Sequence, residues 1–90
     1  MAWEIKISKK AENSLASMDA TAARRIKQYL EEKVATDLNP RRLGKSLQGN
    51  LAGYWRYRVG DYRIICEIHD EEVVVLVVEV GHRSKIYGGH

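Results

Sequence analysis

Hydrophobic and polar residues alternate along the first part of the chain. In residues 3–7 hydrophobic positions alternate with charged ones, a period of two that is typical of a strand with one buried face. The period lengthens to that of a helix over residues 9–18, where hydrophobic residues recur every three or four positions. Ser8 lies where a helix N-cap is expected. The pattern therefore predicts a strand followed directly by a short helix.

A second helical pattern begins after Asp19, a favourable N-cap, and continues to Val34. Its hydrophobic residues fall on one face, and most of its charged residues lie outside that face. Two helices joined by so short a connection are expected to form an antiparallel hairpin. The dipeptide Asn39-Pro40 ends this region, and three glycines indicate a loop over residues 41–53.

Three further strands are predicted after this loop. They are Tyr54–Val59, Tyr62–His69 and Glu72–Val80, joined by turns at Gly60–Asp61 and Asp70–Glu71. The element order is then β-α-α-β-β-β, which predicts an α+β fold in one small domain, residues 1–90. We expect the later strands to form a meander and the helical hairpin to pack on one face of a twisted, mainly antiparallel sheet.

Composition narrows the classes of protein to consider. A hydrophobic content of 44% is that of a globular chain, and the longest strongly apolar run, Val73–Val78, has the length of a strand. No membrane-spanning or secretory segment is expected from such a sequence. The single cysteine, Cys66, fits a reducing cytoplasm. The three histidines are widely spaced, so neither a metal site nor a cofactor is expected.

Charge is distributed unevenly along the chain. The net charge of +3 permits an anionic partner without requiring one. Residues 41–63, however, contain six cations and a single acid, and residues 67–79 contain acids and no cation. A fold that separates these two segments would have one basic face.

Strand alternation places Arg56 and Arg58 on one face of their strand and Arg63 on the corresponding face of the next. A tight turn would bring Arg58 next to Arg63, and neighbouring like charges are unfavourable unless an anion bridges them. Phosphate is a suitable bridge, because guanidinium binds it through two hydrogen bonds. The alternative is that Arg58 forms an ion pair with Glu67 or Glu79, and the pattern leaves both open.

The segment after Val80 carries His82, Arg83, Lys85 and Tyr87. If it returns towards the arginines, a basic patch with aromatic residues at its rim results, and such patches bind single-stranded nucleic acid. Cleavage of RNA by its own 2′-hydroxyl also needs a base and an acid, and histidine ordinarily titrates near neutral pH. The alternative is that these residues only end a strand and keep it soluble.

The layout as a whole, with YWRYRVGDYRIICEI at residues 54–68 and VGHRSKIY at residues 80–87, resembles the RelE branch of the RelE/ParE toxins. The resemblance covers essentially the whole chain. It implies a bacterial, cytoplasmic toxin of a type II toxin–antitoxin pair. Such toxins enter the ribosomal A site and cut mRNA there by attack of the 2′-hydroxyl, without a metal ion or cofactor.

The resemblance also implies roles for particular residues. Arg63 and Arg83 match the family's active-site arginines and would stabilise the transition state, and Tyr87 matches its C-terminal tyrosine. Arg56 stands where well-known members carry a lysine, and an arginine is a poor general base because it does not readily lose its proton. His82 and Tyr87 are therefore the expected acid–base pair. The side chains expected to hold RNA are Arg56, Arg58, Lys45 and Lys85.

The partners implied by the resemblance are a cognate antitoxin, the ribosome and mRNA. Operator DNA would be bound only through the antitoxin, and no membrane is involved. An acidic, flexible antitoxin segment would cover the basic face and fold on binding. Two alternatives remain at this point: a ParE-like toxin that poisons DNA gyrase without nuclease activity, and a degenerate toxin that only binds its antitoxin.

Overall fold

Two α-helices and five strands make up the part of the chain that the computed structural model describes, residues 2–82. The chain begins with β1 (Glu4–Ile7), α1 (Lys9–Ser17) and α2 (Ala20–Tyr29). The remaining strands are β2 (Lys45–Ser46), β3 (Trp55–Val59), β4 (Tyr62–His69) and β5 (Val74–His82). The predicted element order is confirmed, with one additional short strand.

All five strands form one sheet in the order β1-β5-β4-β3-β2. The pair β1–β5 is parallel and the other three pairs are antiparallel. The helices cover one face of this sheet, and the other face, called the open face below, carries the side chains of Arg56, Arg58 and Arg63. The predicted α+β fold is confirmed, and β4 is its central strand.

The two N-caps are those the sequence predicts. The Ser8 hydroxyl accepts a hydrogen bond from the Ala11 amide at 3.1 Å, and the Asp19 carboxylate accepts one from the Ala22 amide at 3.1 Å. Helix α2 continues into a π-helical turn at Leu30–Val34, so the helical region extends as far as predicted. Leu30 and Val34, at the two ends of this turn, are both buried.

The core lies between the helices and the covered face of the sheet. Its fully buried side chains come from both layers: Ile26, Leu30, Val34, Tyr57, Ile64, Cys66, Val75 and Val77. Burial raises the pKa of the Cys66 thiol far above its usual range. Cys66 is therefore a small hydrophobic core residue.

The segment predicted as a loop contains a strand that pattern alone does not reveal. Within residues 41–53, Lys45 pairs with Arg56 and Ser46 with Trp55, and two residues are too few to show alternation. Gly44 makes this close approach possible, since its φ is +75° and a Cβ there would meet the Arg56 carbonyl oxygen. The Trp55 indole N–H also donates to the Leu43 carbonyl at 2.6 Å.

Strand β5 begins and ends two residues later than the predicted Glu72–Val80. At its start, the turn extends to Val73, whose φ of +57° is unusual for a β-branched residue. Arg41 holds this turn through two hydrogen bonds to Asp70 at 2.8 and 2.9 Å, which lower the pKa of that carboxyl group. At its end, β5 continues to His82 because it still pairs with β4 there.

A β-bulge in β5 changes which side chains face the helices. Ile65 pairs with Glu79 but Cys66 pairs with Val77, so Val78 is the extra residue. Val77 and Val80 therefore both enter the core, although they are three positions apart. Beyond the bulge, the alternation is shifted by one residue.

Ser8 holds this bulge at the same time as it caps α1. Its hydroxyl donates to the Val78 carbonyl at 3.1 Å and its amide donates to the Val77 carbonyl at 2.9 Å. The hydroxyl thus accepts one hydrogen bond from the helix and donates another to the bulge.

Replacing Ser8 by aspartate should separate these two roles. A carboxylate still caps the helix but cannot donate to Val78 at neutral pH. We expect Ser8→Ala to lower the free energy of unfolding by about 1.5–3 kcal/mol, and Ser8→Asp to recover only the cap, about 1 kcal/mol, in urea titrations. The control Asp19→Ala removes a cap alone. Ser8→Asp with wild-type stability would show that the bond to Val78 does not stabilise the fold.

Candidate functional site

Two nitrogens of the Arg63 guanidinium are buried in the centre of the sheet without a hydrogen-bonding partner in the described part of the chain. The residue is 9% exposed, and the two atoms, Nε and Nη1, have no acceptor among residues 2–82. A buried charge is costly unless it is paired and hydrogen-bonded. The position therefore stabilises the fold poorly but is suited to binding an anion that enters from the open face.

Like charges face each other across the strands at two places on the open face. Arg58 is paired in register with Arg63, and Lys45 with Arg56. The Nε atom of Arg56 is also buried, and the described residues provide no acceptor for it. Like charges directly opposite each other destabilise a sheet. Four neighbouring cations thus share a surface that an anion would stabilise.

The carboxylates considered as partners for Arg58 contact other side chains. In the described part of the chain, Glu67 contacts the His69 imidazole at 2.9 Å, and Glu79 contacts Lys10 at 3.5 Å. The predicted alternative of an Arg58 ion pair with either acid is therefore wrong in this structure. Arg41 and Arg42, counted with the same basic segment, pair with Asp70 and Asp37 and are not part of the cationic surface.

A cleft of ≈ 230 Å³ lies beside these cations. It is lined by Tyr29, Gly44, Lys45, Arg56 and Arg58. Sequence reasoning missed Tyr29 because the helical pattern assigns it to the core-facing side of α2. Its ring packs against that of Tyr57, with centroids 6.1 Å apart. Burial raises the pKa of Tyr29, so its phenol stays protonated at neutral pH and remains a hydrogen-bond donor.

His82 does not lie with the arginines. It pairs in register with Tyr62, and the edge of one ring meets the face of the other with centroids 5.7 Å apart. Tyr62 packs against the core, so the imidazole is on the helix-covered face, where it lines a separate cleft with Arg25. The predicted proximity of His82 to Arg63 is wrong, because the bulge at Val78 shifts the alternation after it.

The remaining predicted residues, Arg83, Lys85 and Tyr87, lie outside the described residues. Within residues 2–82, no helix is long and apolar enough to cross a membrane. The same part of the chain brings no three His, Cys, Asp or Glu side chains together as a metal site.

Replacing Arg63 by methionine should stabilise the protein. Methionine fills a similar space without a charge, and exchanging buried ionic groups for hydrophobic ones often stabilises. We expect the free energy of unfolding to rise by about 1–2 kcal/mol in urea titrations, with exposed Arg25→Met within about 0.5 kcal/mol of the wild type. Inorganic phosphate should raise the melting temperature of the wild type more than that of Arg63→Met. A destabilised Arg63→Met protein would show that the guanidinium is structural.

Comparison with known proteins identifies the family of the chain. The model of the ParE toxin family of type II toxin–antitoxin systems, parDE, matches residues 5–87. Toxin RelE of Mycobacterium tuberculosis is 37% identical over 81 residues, which cover 79% of this chain and 82% of that protein. Toxin RelG of the same organism is 44% identical over 48 residues, but the match spans only 55% of its length and 53% of this chain.

Solved structures agree in fold. The toxin–antitoxin complex RelBE2 from Mycobacterium tuberculosis contains a chain that matches with a TM-score of 0.84 and 25% identity, covering 94% of this chain and 95% of that one. The isolated E. coli RelE toxin matches with a TM-score of 0.70 at 23% identity, covering 96% and 92%. The chain therefore belongs to the RelE/ParE family of toxins from type II toxin–antitoxin systems.

Proposed function

We propose that this toxin is an endoribonuclease that cleaves mRNA in the ribosomal A site by attack of the 2′-hydroxyl. The observation that carries the proposal is the buried Arg63 guanidinium, whose Nε and Nη1 atoms have no acceptor within residues 2–82 while Arg58 stands opposite. A phosphodiester that enters from the open face supplies the missing acceptors and the missing negative charge. The assignment of the chain to a family of toxins supports the same reading.

The reaction is a transfer within the RNA. The 2′-oxygen attacks the adjacent phosphorus, the bond to the 5′-oxygen breaks, and a 2′,3′-cyclic phosphate and a 5′-hydroxyl result. The 2′-hydroxyl loses a proton and the leaving oxygen gains one, so no water is consumed. Negative charge grows on the phosphoryl oxygens in the transition state, and Arg63 and Arg58 would stabilise it there. Arg83 and Tyr87 join this site in the proposal through the family resemblance alone.

The proton transfers need groups on the open face. A general acid or base must come within hydrogen-bonding reach of the proton it moves, and His82 lies on the other face against Tyr62. We therefore assign His82 to packing and Tyr87 to acid–base work. Arg56 binds phosphate and is not the base, since a guanidinium keeps its proton.

Antitoxin binding is the second part of the proposal. Solved relatives from Mycobacterium tuberculosis and E. coli are complexes of RelE with RelB. We propose that a cognate antitoxin covers the open face of this chain with an acidic segment, which would supply carboxylates to the cations that lack them. Ribosome binding would be blocked in the same step, and operator DNA would be reached only through the antitoxin.

Gyrase poisoning is the competing function, because the matching family model is described as the ParE toxin. A gyrase poison needs a binding surface but no buried phosphate-binding arginine. The lack of acceptors for Arg63 therefore favours the nuclease over this alternative.

Cleavage of mRNA by the purified toxin tests the nuclease. With programmed ribosomes, we expect cuts by the wild type and a loss of at least about 100-fold in Arg63→Ala, since removing one transition-state donor costs about 10²–10³. The control Arg25→Ala removes an exposed arginine of α2 and should cut normally. A supercoiling assay with DNA gyrase completes the comparison. Inhibition of gyrase without mRNA cleavage would replace the nuclease by the ParE-like function.

The role of His82 is tested by His82→Gln, which keeps a polar side chain of similar size. We expect cleavage within about tenfold of the wild type, because the imidazole faces Tyr62. Loss of a general acid or base costs about 10²–10⁴-fold, and a loss of that size would return His82 to the catalytic site.

A further inference from the structure

The second pair of like charges on the open face takes no part in the proton transfers or in the stabilisation of the transition state described above, and the phosphate that Arg56 binds has not yet been specified. Lys45 is in register with Arg56 on the edge of the sheet, and the Arg56 Nε atom is buried without an acceptor. We infer that Lys45 and Arg56 form a second phosphate subsite, which binds the phosphodiester next to the one that Arg63 holds. This inference rests on the proposed function, since it concerns the same RNA strand.

The spacing of the two cation pairs fits neighbouring linkages of one strand. Arg56 and Arg58 are two positions apart on β3, a separation of about 7 Å, and adjacent strands are about 5 Å apart. The midpoints of the pairs Arg58/Arg63 and Lys45/Arg56 therefore lie within one nucleotide of each other, given the reach of these long side chains. An RNA strand held at both would cross β3 diagonally towards β2.

The cleft beside β2 gives this strand a place to leave the sheet. Its ≈ 230 Å³ is lined by both members of the second pair and by Tyr29. The phenol of Tyr29 is held by its contact with Tyr57 and stays protonated, so it can donate a hydrogen bond to a phosphate or a base. Cations beside an aromatic ring are the usual means of holding single-stranded nucleic acid.

The position of Lys45 is fixed by the fold. Gly44 allows the chain to press against β3, where a Cβ would lie 2.8 Å from the Trp55 indole nitrogen. The hydrogen bond from Trp55 to the Leu43 carbonyl holds the preceding residue. Among the ion pairs of residues 2–82, none includes Lys45 or Arg56. The backbone therefore places two cations opposite each other, and no acid of residues 2–82 forms an ion pair with them.

Short oligonucleotides with one or two phosphodiesters test the subsite. The probes are 2′-O-methyl uridine dinucleotide and trinucleotide without terminal phosphates, which cannot be cleaved because the attacking hydroxyl is blocked. Two further trinucleotides carry a neutral methylphosphonate at the 5′ or the 3′ linkage. Affinities are measured by calorimetry at several salt concentrations for the wild type, Lys45→Ala, Lys45→Arg and the control Lys9→Ala, an exposed lysine of α1.

We expect the trinucleotide to bind the wild type roughly three- to tenfold more tightly than the dinucleotide. The Lys45→Ala substitution and one of the two methylphosphonates should each remove this gain in affinity. The variant should bind that methylphosphonate trinucleotide no more weakly than it binds the unmodified one. The slope of log K against log salt concentration for the trinucleotide should be less steep by about 0.7 in Lys45→Ala than in the wild type. Lys45→Arg should restore the gain, and Lys9→Ala should keep it.

Other results overturn the inference in distinguishable ways. If Lys45→Ala weakens the dinucleotide and the trinucleotide equally, or has the effect of Lys9→Ala, there is no second subsite, and the Arg63 site stands. If the wild type binds the dinucleotide but gains nothing from the second linkage, the subsite is again wrong. If the wild type binds none of the probes, the subsite and RNA binding by the open face are both refuted.

Discussion

The hydrogen bond from Ser8 to the Val78 carbonyl is the contact on which the arrangement of the sheet depends. It holds the bulge that lets Val77 and Val80 both face the helices. The same bulge places Glu79 on the open face and turns His82 away from it. Because Ser8 also caps α1, the first helix and the phase of the last strand are fixed together. A local distortion thus decides which residues of β5 lie on the open face.

The cations of the open face destabilise the sheet, but they are suited to binding an anion. Arg63 occupies a position in the central strand that a hydrophobic residue would fill at lower cost, and Arg58 stands opposite with the same charge. Such an arrangement is stable only because the core on the covered side is well packed. A bound anion would offset the electrostatic repulsion between these cations. RNA and an acidic antitoxin segment, the two ligands proposed above, both meet this requirement, and on that proposal they would compete for one surface.

Fold alone does not separate the functions found in this family. The sheet and helical hairpin match RelE structures closely, and the matching family model is described as the ParE toxin. The nuclease proposed here and the competing gyrase poison would differ in the chemistry of a few side chains on the open face. Burial of Arg63 without acceptors is the observation in this chain that favours phosphate as its ligand.

The sequence by itself determined the element order, both N-caps and the placement of Arg58 next to Arg63, because these follow from local periodicity, capping and one tight turn. The tertiary structure decided the rest. Strand β2 is too short to have a period and forms only because Gly44 fits against β3. The bulge at Val78 leaves no trace in a run of valines, yet it reverses the face of His82. The partner of Glu79 is also set by the tertiary structure, because Lys10 comes from the first helix, whereas Glu67 contacts His69 two positions along the same strand. Neither acid is then paired with Arg58 or Arg63 in the described part of the chain.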